Sequence, residues 1–220
     1  MGQNRRTRRP VLTGLLLLAA LAGLPMRAAL GQDRAGPPRR PVAIGVITGA
    51  SLATVAARDY DLRLTYRRGR AAGVFALLPL SSMVTLEPAL LYAQKGFYSN
   101  WASALTSAQD YVQLPLLLRL HAAPSHRIAP FVAAGPAVAY LTRCQLSTGA
   151  GAFRGRQSCA PNAYHRLDVG AIADGGVALP LGRPRLALRA RYEWGLRSIA
   201  PEATGRRRTL SYLAGLEWPL

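Results

Sequence analysis

The sequence predicts an all-β chain, an eight-stranded antiparallel up-and-down transmembrane β-barrel preceded by a cleaved signal peptide. Three observations predict it. Beyond residue 41, apolar segments of about ten residues alternate with turn-rich gaps. The gaps are alternately long and short. Each segment with an ion near its middle keeps one face free of charge.

Residues 1–31 read as the signal peptide. Arg5, Arg6, Arg8 and Arg9 precede the apolar run "VLTGLLLLAALAGLP", the small residues of "AALGQ" offer a cleavage site near Gly31, and no acid occurs before Asp33. The run from Val11 to Leu24 falls short of the roughly 20 residues a spanning helix needs, which disfavours an uncleaved anchor. Residues 32–41 form a short periplasmic linker opening with "QDRAGPPRR", and 42–220 form the barrel. Without the five arginines of the signal, 23 basic side chains face 10 acidic ones. Such an excess fits nucleic acid or an anionic surface. An exported chain whose arginines form no aromatic-interleaved patch points to the anionic envelope, with no nucleic-acid partner.

Eight segments follow: 42–55, 70–80, 83–95, 110–121, 128–143, 166–179, 185–196 and 209–220. The odd gaps between them (56–69, 96–109, 144–165, 197–208) are long, and the even ones (81–82, 122–127, 180–184) are short. A barrel with long loops outside and tight periplasmic turns produces that alternation; a β-sandwich gives no reason for it. In the third segment Leu86, Ala89, Leu90 and Ala93 also suit a helix, but "LALRARYEW" and "YVQLPLLLRL" have a period of two. Prolines at 79, 88, 115, 130 and 136 argue against successive helices. In strands each proline removes a ladder donor, so bulges, strand ends or weakened pairing are expected there.

The same period sorts the charges. Glu87 and Lys95 share a face with Thr85 and Ala93, opposite Leu86, Leu90 and Tyr92. Arg119 shares one with Tyr111 and Gln113, Asp168 with Asp174, Arg189 and Arg191 with Glu193, and Glu217 with Ser211. The opposite faces are uncharged and carry Tyr92, Tyr192, Tyr212 and Trp218 as aromatic girdles. A closed barrel with lipid outside and a mixed ionic network inside is the simplest geometry. Arg119, Arg189 or Arg191 are the expected partners of Glu87, and Asp168 or Glu193 those of Lys95.

The segments "GVITGASLATV", "LEPALLYAQKG", "YVQLPLLLRL", "APFVAAGPAVAYL" and "YLAGLEWPL" resemble, in order, the PorT-like outer membrane β-barrel domain family, the porin-family type. The resemblance implies an eight-stranded barrel in a bacterial outer membrane, delivered by the barrel-assembly machinery, and implies no reaction. The chain departs from the family pattern in placing Glu87 before Pro88 and in ending on Leu220. By the family pattern the acid would face outward unless a bulge intervenes; by the period of two it faces inward.

Cys144 and Cys159 fall in the longest gap of an exported chain and read as a loop disulfide. His165 alone stands near them, too few ligands for a metal, and no cofactor is expected. "GAGAFRG" lacks the strand and spacing of a phosphate loop, and His121 and His126 read as surface histidines beside a turn. Arg67, Arg68, Arg70, Arg206, Arg207 and Arg208 border the first and last long loops and are candidate contacts to lipopolysaccharide phosphates. Ser211, Glu217 and His165 supply hydrolase residue types with nothing to hold them within reach, so no enzyme is expected. The expected role is structural or interactive, toward outer membrane lipids or a partner, with side chains filling the lumen. A small-solute channel is the alternative, and a lipid-modifying barrel enzyme the third reading.

Overall fold

The computed structural model describes residues 41–56, 64–99, 105–122, 128–148, 155–160, 163–198 and 205–220. The signal segment, all of the linker but Pro41, His126 and most of "GAGAFRG" lie outside the described residues. Among the described residues nine strands occur: β1 (Ala43–Ala56), β2 (Leu64–Pro79), β3 (Val84–Ser99), β4 (Leu105–His121), β5 (Ala129–Thr148), β6 (Gly155–Ser158), β7 (Leu167–Pro180), β8 (Arg185–Ser198) and β9 (Arg206–Pro219). They are antiparallel in the order β4-β3-β2-β1-β9-β8-β7-β5, and a β4–β5 pairing closes the ring at eight strands. The short β6 adds only to the upper end of β5.

The strands outrun the apolar segments that predicted them. β2 begins six residues before its segment, β4 begins five before, β3 ends four later and β5 five later. Crossing a bilayer takes about 9–11 tilted residues; strands of 14 to 20 residues therefore project beyond it. Apolarity marks where lipid touches the strand, whereas the hydrogen-bond ladder continues into water without needing apolar side chains. The long gaps are accordingly partly strand, and β6 lies wholly within one.

The short connections share one end with the barrel termini. At the β2–β3 turn, Ser81 Oγ accepts from the backbone N–H of Val84 at 3.0 Å, and Leu80 N–H donates to Val84 O at 2.9 Å. In the β7–β8 turn Gly182 adopts φ +81°, a left-handed conformation that glycine takes without steric cost. At the same end Leu220 N–H donates to Val42 O at 2.8 Å.

Three prolines interrupt the wall in a regular way. Pro88 keeps its β4 partner, Leu116, while the β2–β3 ladder is unpaired opposite it, between Phe75/Ala89 and Leu78/Leu86. Pro115 pairs with Ala137 on β5, and the β3–β4 ladder is broken on its other side. Pro136 pairs with Ala171 on β7, and the β4–β5 ladder is broken at Leu116 and Leu117. In an antiparallel sheet a residue's N–H points to one neighbour only, so a missing donor weakens one ladder and spares the other. The register is unchanged across all three breaks. The irregularities in register lie elsewhere, at Tyr66/Ala71, Asp110/Tyr111 and Trp194/Ser198.

The two faces separate by solvent. Ile44, Val74, Leu90, Leu116, Leu118 and Val132 are exposed on the outside, in a band edged by Tyr92, Tyr140, Trp194, Tyr212 and Trp218. Tyr192 stacks edge-on against Trp194 at 4.5 Å. The lumen holds the ions together with an apolar cluster, absent from the sequence reading, that includes Ile47, Phe75, Leu91 and Leu213.

Candidate functional site

The lumen is filled by two ionic tiers. Glu87 on β3 turns inward with 1 % exposure, because no bulge occurs at Pro88 and the period of two carries through. Its Oε1 accepts from Arg189 Nη1 at 2.5 Å, Arg119 Nη1 lies 3.4 Å from its Oε2, and Arg191 Nη2 is 3.9 Å from Oε1. Arg119 also donates to Glu217 Oε1 at 2.6 Å. Asp174 Oδ2 accepts from Arg191 Nη2 at 2.8 Å, from Arg191 Nε at 3.0 Å and from Arg189 Nη1 at 3.2 Å. Three carboxylates and three guanidiniums thus form one continuous network. The Arg119 guanidinium lies 3.5 Å above the centre of the Phe131 ring, a cation–π contact in a desolvated setting.

The second tier lies toward the long loops. Lys95 Nζ donates to Glu193 Oε1 at 2.6 Å. Arg207 Nη1 donates to Asp168 Oδ2 at 2.5 Å, and its Nη2 donates to Gln109 Oε1 at 3.0 Å and to the Tyr111 hydroxyl. Tyr111 in turn donates to Gln109 Oε1 at 2.9 Å, and its ring receives Arg207 at 4.3 Å and Lys95 at 5.5 Å. Counting both tiers, five buried cations meet five buried carboxylates among the described residues, so these two tiers are charge-balanced.

These contacts cross the whole lumen. β3 and β8 lie four strands apart around the ring of eight, as do β4 and β9. The Glu87–Arg189, Lys95–Glu193, Arg119–Glu217 and Arg207–Tyr111 contacts therefore join opposite walls. Below the ions, His121 Nε2 and Thr85 Oγ1 are 3.1 Å apart beside a cavity of about 30 Å³ lined in part by Pro41, Leu77 and Glu217, with room for water.

The six rim arginines divide. Arg68, Arg70, Arg206 and Arg208 are exposed on the outer side. Arg207 corrects the expectation: it points into the lumen, 3 % exposed, because alternation along β9 places it with Thr209, Ser211 and Glu217. Arg67 is half-buried and donates to the Lys95 carbonyl at 2.7 Å. Buried in this way, Arg207 is not available to a lipid phosphate. His121 is likewise corrected, since it is buried in the lumen and not at the surface.

Gln109 and Arg207 were the functional residues that sequence reasoning left out of the lumen. Gln109 lies one position before a segment begun too late, at 110, and Arg207 two positions before one begun too late, at 209. Extending the period of two by one step would have found both.

Cys144 and Cys159 are joined by a disulfide that ties β5 to the residue just after β6. Ser211, Glu217 and His165 are not brought together. Ser211 and Glu217 are six residues apart on β9, about 20 Å along the strand. His165 lies outside the barrel wall against Arg197, with Nδ1 3.3 Å from Arg197 Nη2.

The model of the outer membrane protein beta-barrel domain family matches residues 30–200. Among solved structures, the chain is similar to the outer membrane protein OprG from Pseudomonas aeruginosa, with a TM-score of 0.52 at 10 % identity over 83 % of this chain and 97 % of that one. It is also similar to Neisserial surface protein A, with a TM-score of 0.48 at 11 % identity over 84 % and 100 % of the two chains. The outer membrane enzyme PagL has a TM-score of 0.38 at 16 % identity over 78 % and 99 %. No curated protein matches the sequence.

Proposed function

The chain belongs to the outer membrane protein β-barrel domain family and lies in the bacterial outer membrane, and from that premise we propose that it is a closed, non-conducting and non-catalytic barrel of the PorT-like type, whose work is done at its extracellular rim. The observation that carries this reading is the lumen. Four ionic or hydrogen-bonded contacts join opposite walls, and Arg119, Tyr111, Lys95, Leu117 and Gln109 are almost wholly buried within it. A hydrated solute would have to separate several buried ion pairs, each costly to break. The exterior supports an interactive role: outward-facing Arg68, Arg70, Arg206 and Arg208 stand on β2 and β9, either side of β1, where lipopolysaccharide phosphates would meet them.

Conductance across a planar bilayer tests the central claim. The folded protein is expected to be electrically silent, and stepwise openings of uniform size would replace this reading with the solute channel.

A further inference from the structure

A cleft of about 340 Å³ opens on the outer side of the barrel where β5 rises above the membrane-facing band. Two tethers frame it. At the top, the Cys144–Cys159 disulfide is accompanied by a Cys159 N–H to Cys144 O bond of 3.3 Å. At the bottom, Leu141 N–H donates to Arg166 O at 2.7 Å. Residues 141–144 of β5 stand on one side between these tethers, and Cys159, Ala160, Tyr164 and Arg166 on the other. Arg143, Arg166, Thr142, Ser158, Tyr140 and Tyr164 face the gap.

The charges in the cleft are unbalanced. Along β5 the inward residues are Ala133, Ala137 and Ala139, so strict alternation would send Arg143 into the lumen. The register shift at Asp110/Tyr111 inserts one residue into β5, with Asp110 opposite Arg143 and Tyr111 opposite Leu141. Bulges re-aim side chains in this way, and here Thr142 and Arg143 are both exposed. Arg166 Nη1 lies 3.4 Å from the Tyr140 hydroxyl. Among the described residues neither Arg143 nor Arg166 forms an ion pair, in contrast to the paired arginines of the lumen, and the neutral Gln145 side chain, with its amide turned, accepts from Arg143 Nη2 at 2.8 Å and Nε at 3.3 Å. The titratable groups around them are Asp110, across the ladder from Arg143, and the Arg197–His165 contact beside β7, which adds further positive charge.

We propose that this cleft is a binding site for a phosphate group, held between the Arg143 and Arg166 guanidiniums, with the disulfide fixing the distance between its walls. A guanidinium presents its N–H groups as a planar fork that matches phosphate oxygens, and two arginines lining one cleft give more selectivity than a diffuse basic rim. The position of Tyr140, 46 % exposed on the lipid-facing side, sets the mouth of the cleft at headgroup height. A headgroup phosphate and a soluble phosphate would use the same chemistry. The site is separate from the lumen and from the β2/β9 arginines, so its failure leaves the non-conducting barrel intact.

The full chain, folded in a phosphate-free maltoside detergent and checked by heat-dependent gel mobility, is titrated with diphosphorylated lipid A and, separately, with inorganic phosphate. Binding by either probe, weakened at least about tenfold in the Arg143→Gln/Arg166→Gln double variant, is the expected result. Arg183→Gln in the far turn is expected to leave it unchanged. Lipid A alone binding identifies the headgroup as the source; inorganic phosphate binding equally well, per phosphate, identifies a soluble one. The Cys144→Ser/Cys159→Ser variant is expected to lose affinity with both arginines still present. Absence of binding by both probes, or binding that the double arginine variant leaves intact, overturns the proposal.

Discussion

The two tiers of the lumen hold similar side chains in different ways. In the tier nearer the tight turns, Arg189 touches both Glu87 and Asp174, Arg119 touches both Glu87 and Glu217, and no member has a private partner. In the tier nearer the long loops, Lys95 belongs to Glu193, and Arg207 belongs to Asp168 with the neutral Gln109 and Tyr111 at its side. Five of the seven buried polar atoms that lack a protein partner, among the described residues, belong to the shared network. Sharing spreads charge but saturates hydrogen bonds poorly, whereas one-to-one pairing with neutral neighbours does the reverse. The first arrangement makes every ion answerable to several others; the second makes each pair separable.

The sharpest way to break that contrast is Arg189→Met. It leaves Glu87 with only the 3.4 Å Arg119 contact and a 3.9 Å Arg191 contact, and it should cost about 3–5 kcal/mol in urea unfolding from lipid bilayers. Combining it with Glu87→Gln should recover little, because Arg119 and Asp174 remain disturbed. A full recovery would show that the tier consists of independent pairs after all.

Lys95→Met alone should cost about 2–3 kcal/mol, since Glu193 then loses its only ion-pair partner among the described residues. Here the double variant Lys95→Met/Glu193→Leu is expected to return close to the parent, as apolar replacement of an isolated buried pair often does. If the double is as unstable as the single, the upper tier is not separable and the comparison fails. The smallest change, Tyr111→Phe, removes one hydroxyl shared by Gln109 and Arg207 while keeping the ring under both cations. About 1 kcal/mol is expected, read from the same unfolding curves.

Much of this architecture was legible in the sequence, and particular residues show how. The period of two, a local property of a strand, offered an inward Glu87 and the family pattern an outward one, and the unbulged strand at Pro88 decides for the former. The weakened pairing at Pro88, Pro115 and Pro136 followed from a missing N–H, again a local matter; which ladder each proline would break did not, because that depends on the hydrogen-bonding phase of the pairing. Strand ends were misjudged where the ladder outlasts the apolar band, and Arg207 was assigned to the rim for that reason. Arg143 was invisible as a site residue, since a bulge set by the register of β4 against β5 turned it outward.

By itself the sequence determined which face a side chain takes wherever the strand is unbulged, because the two-residue repeat of a strand is fixed by backbone geometry within a few residues; at Arg143 the bulge against β4 decided it. Which ion meets which was decided by the tertiary structure alone. Glu87 and Arg189 are 102 residues apart, and Lys95 and Glu193 are 98 apart. They meet because closure of β4 onto β5 sets β3 opposite β8 at a particular height. That height is the sum of eight inter-strand registers, and no single strand encodes it.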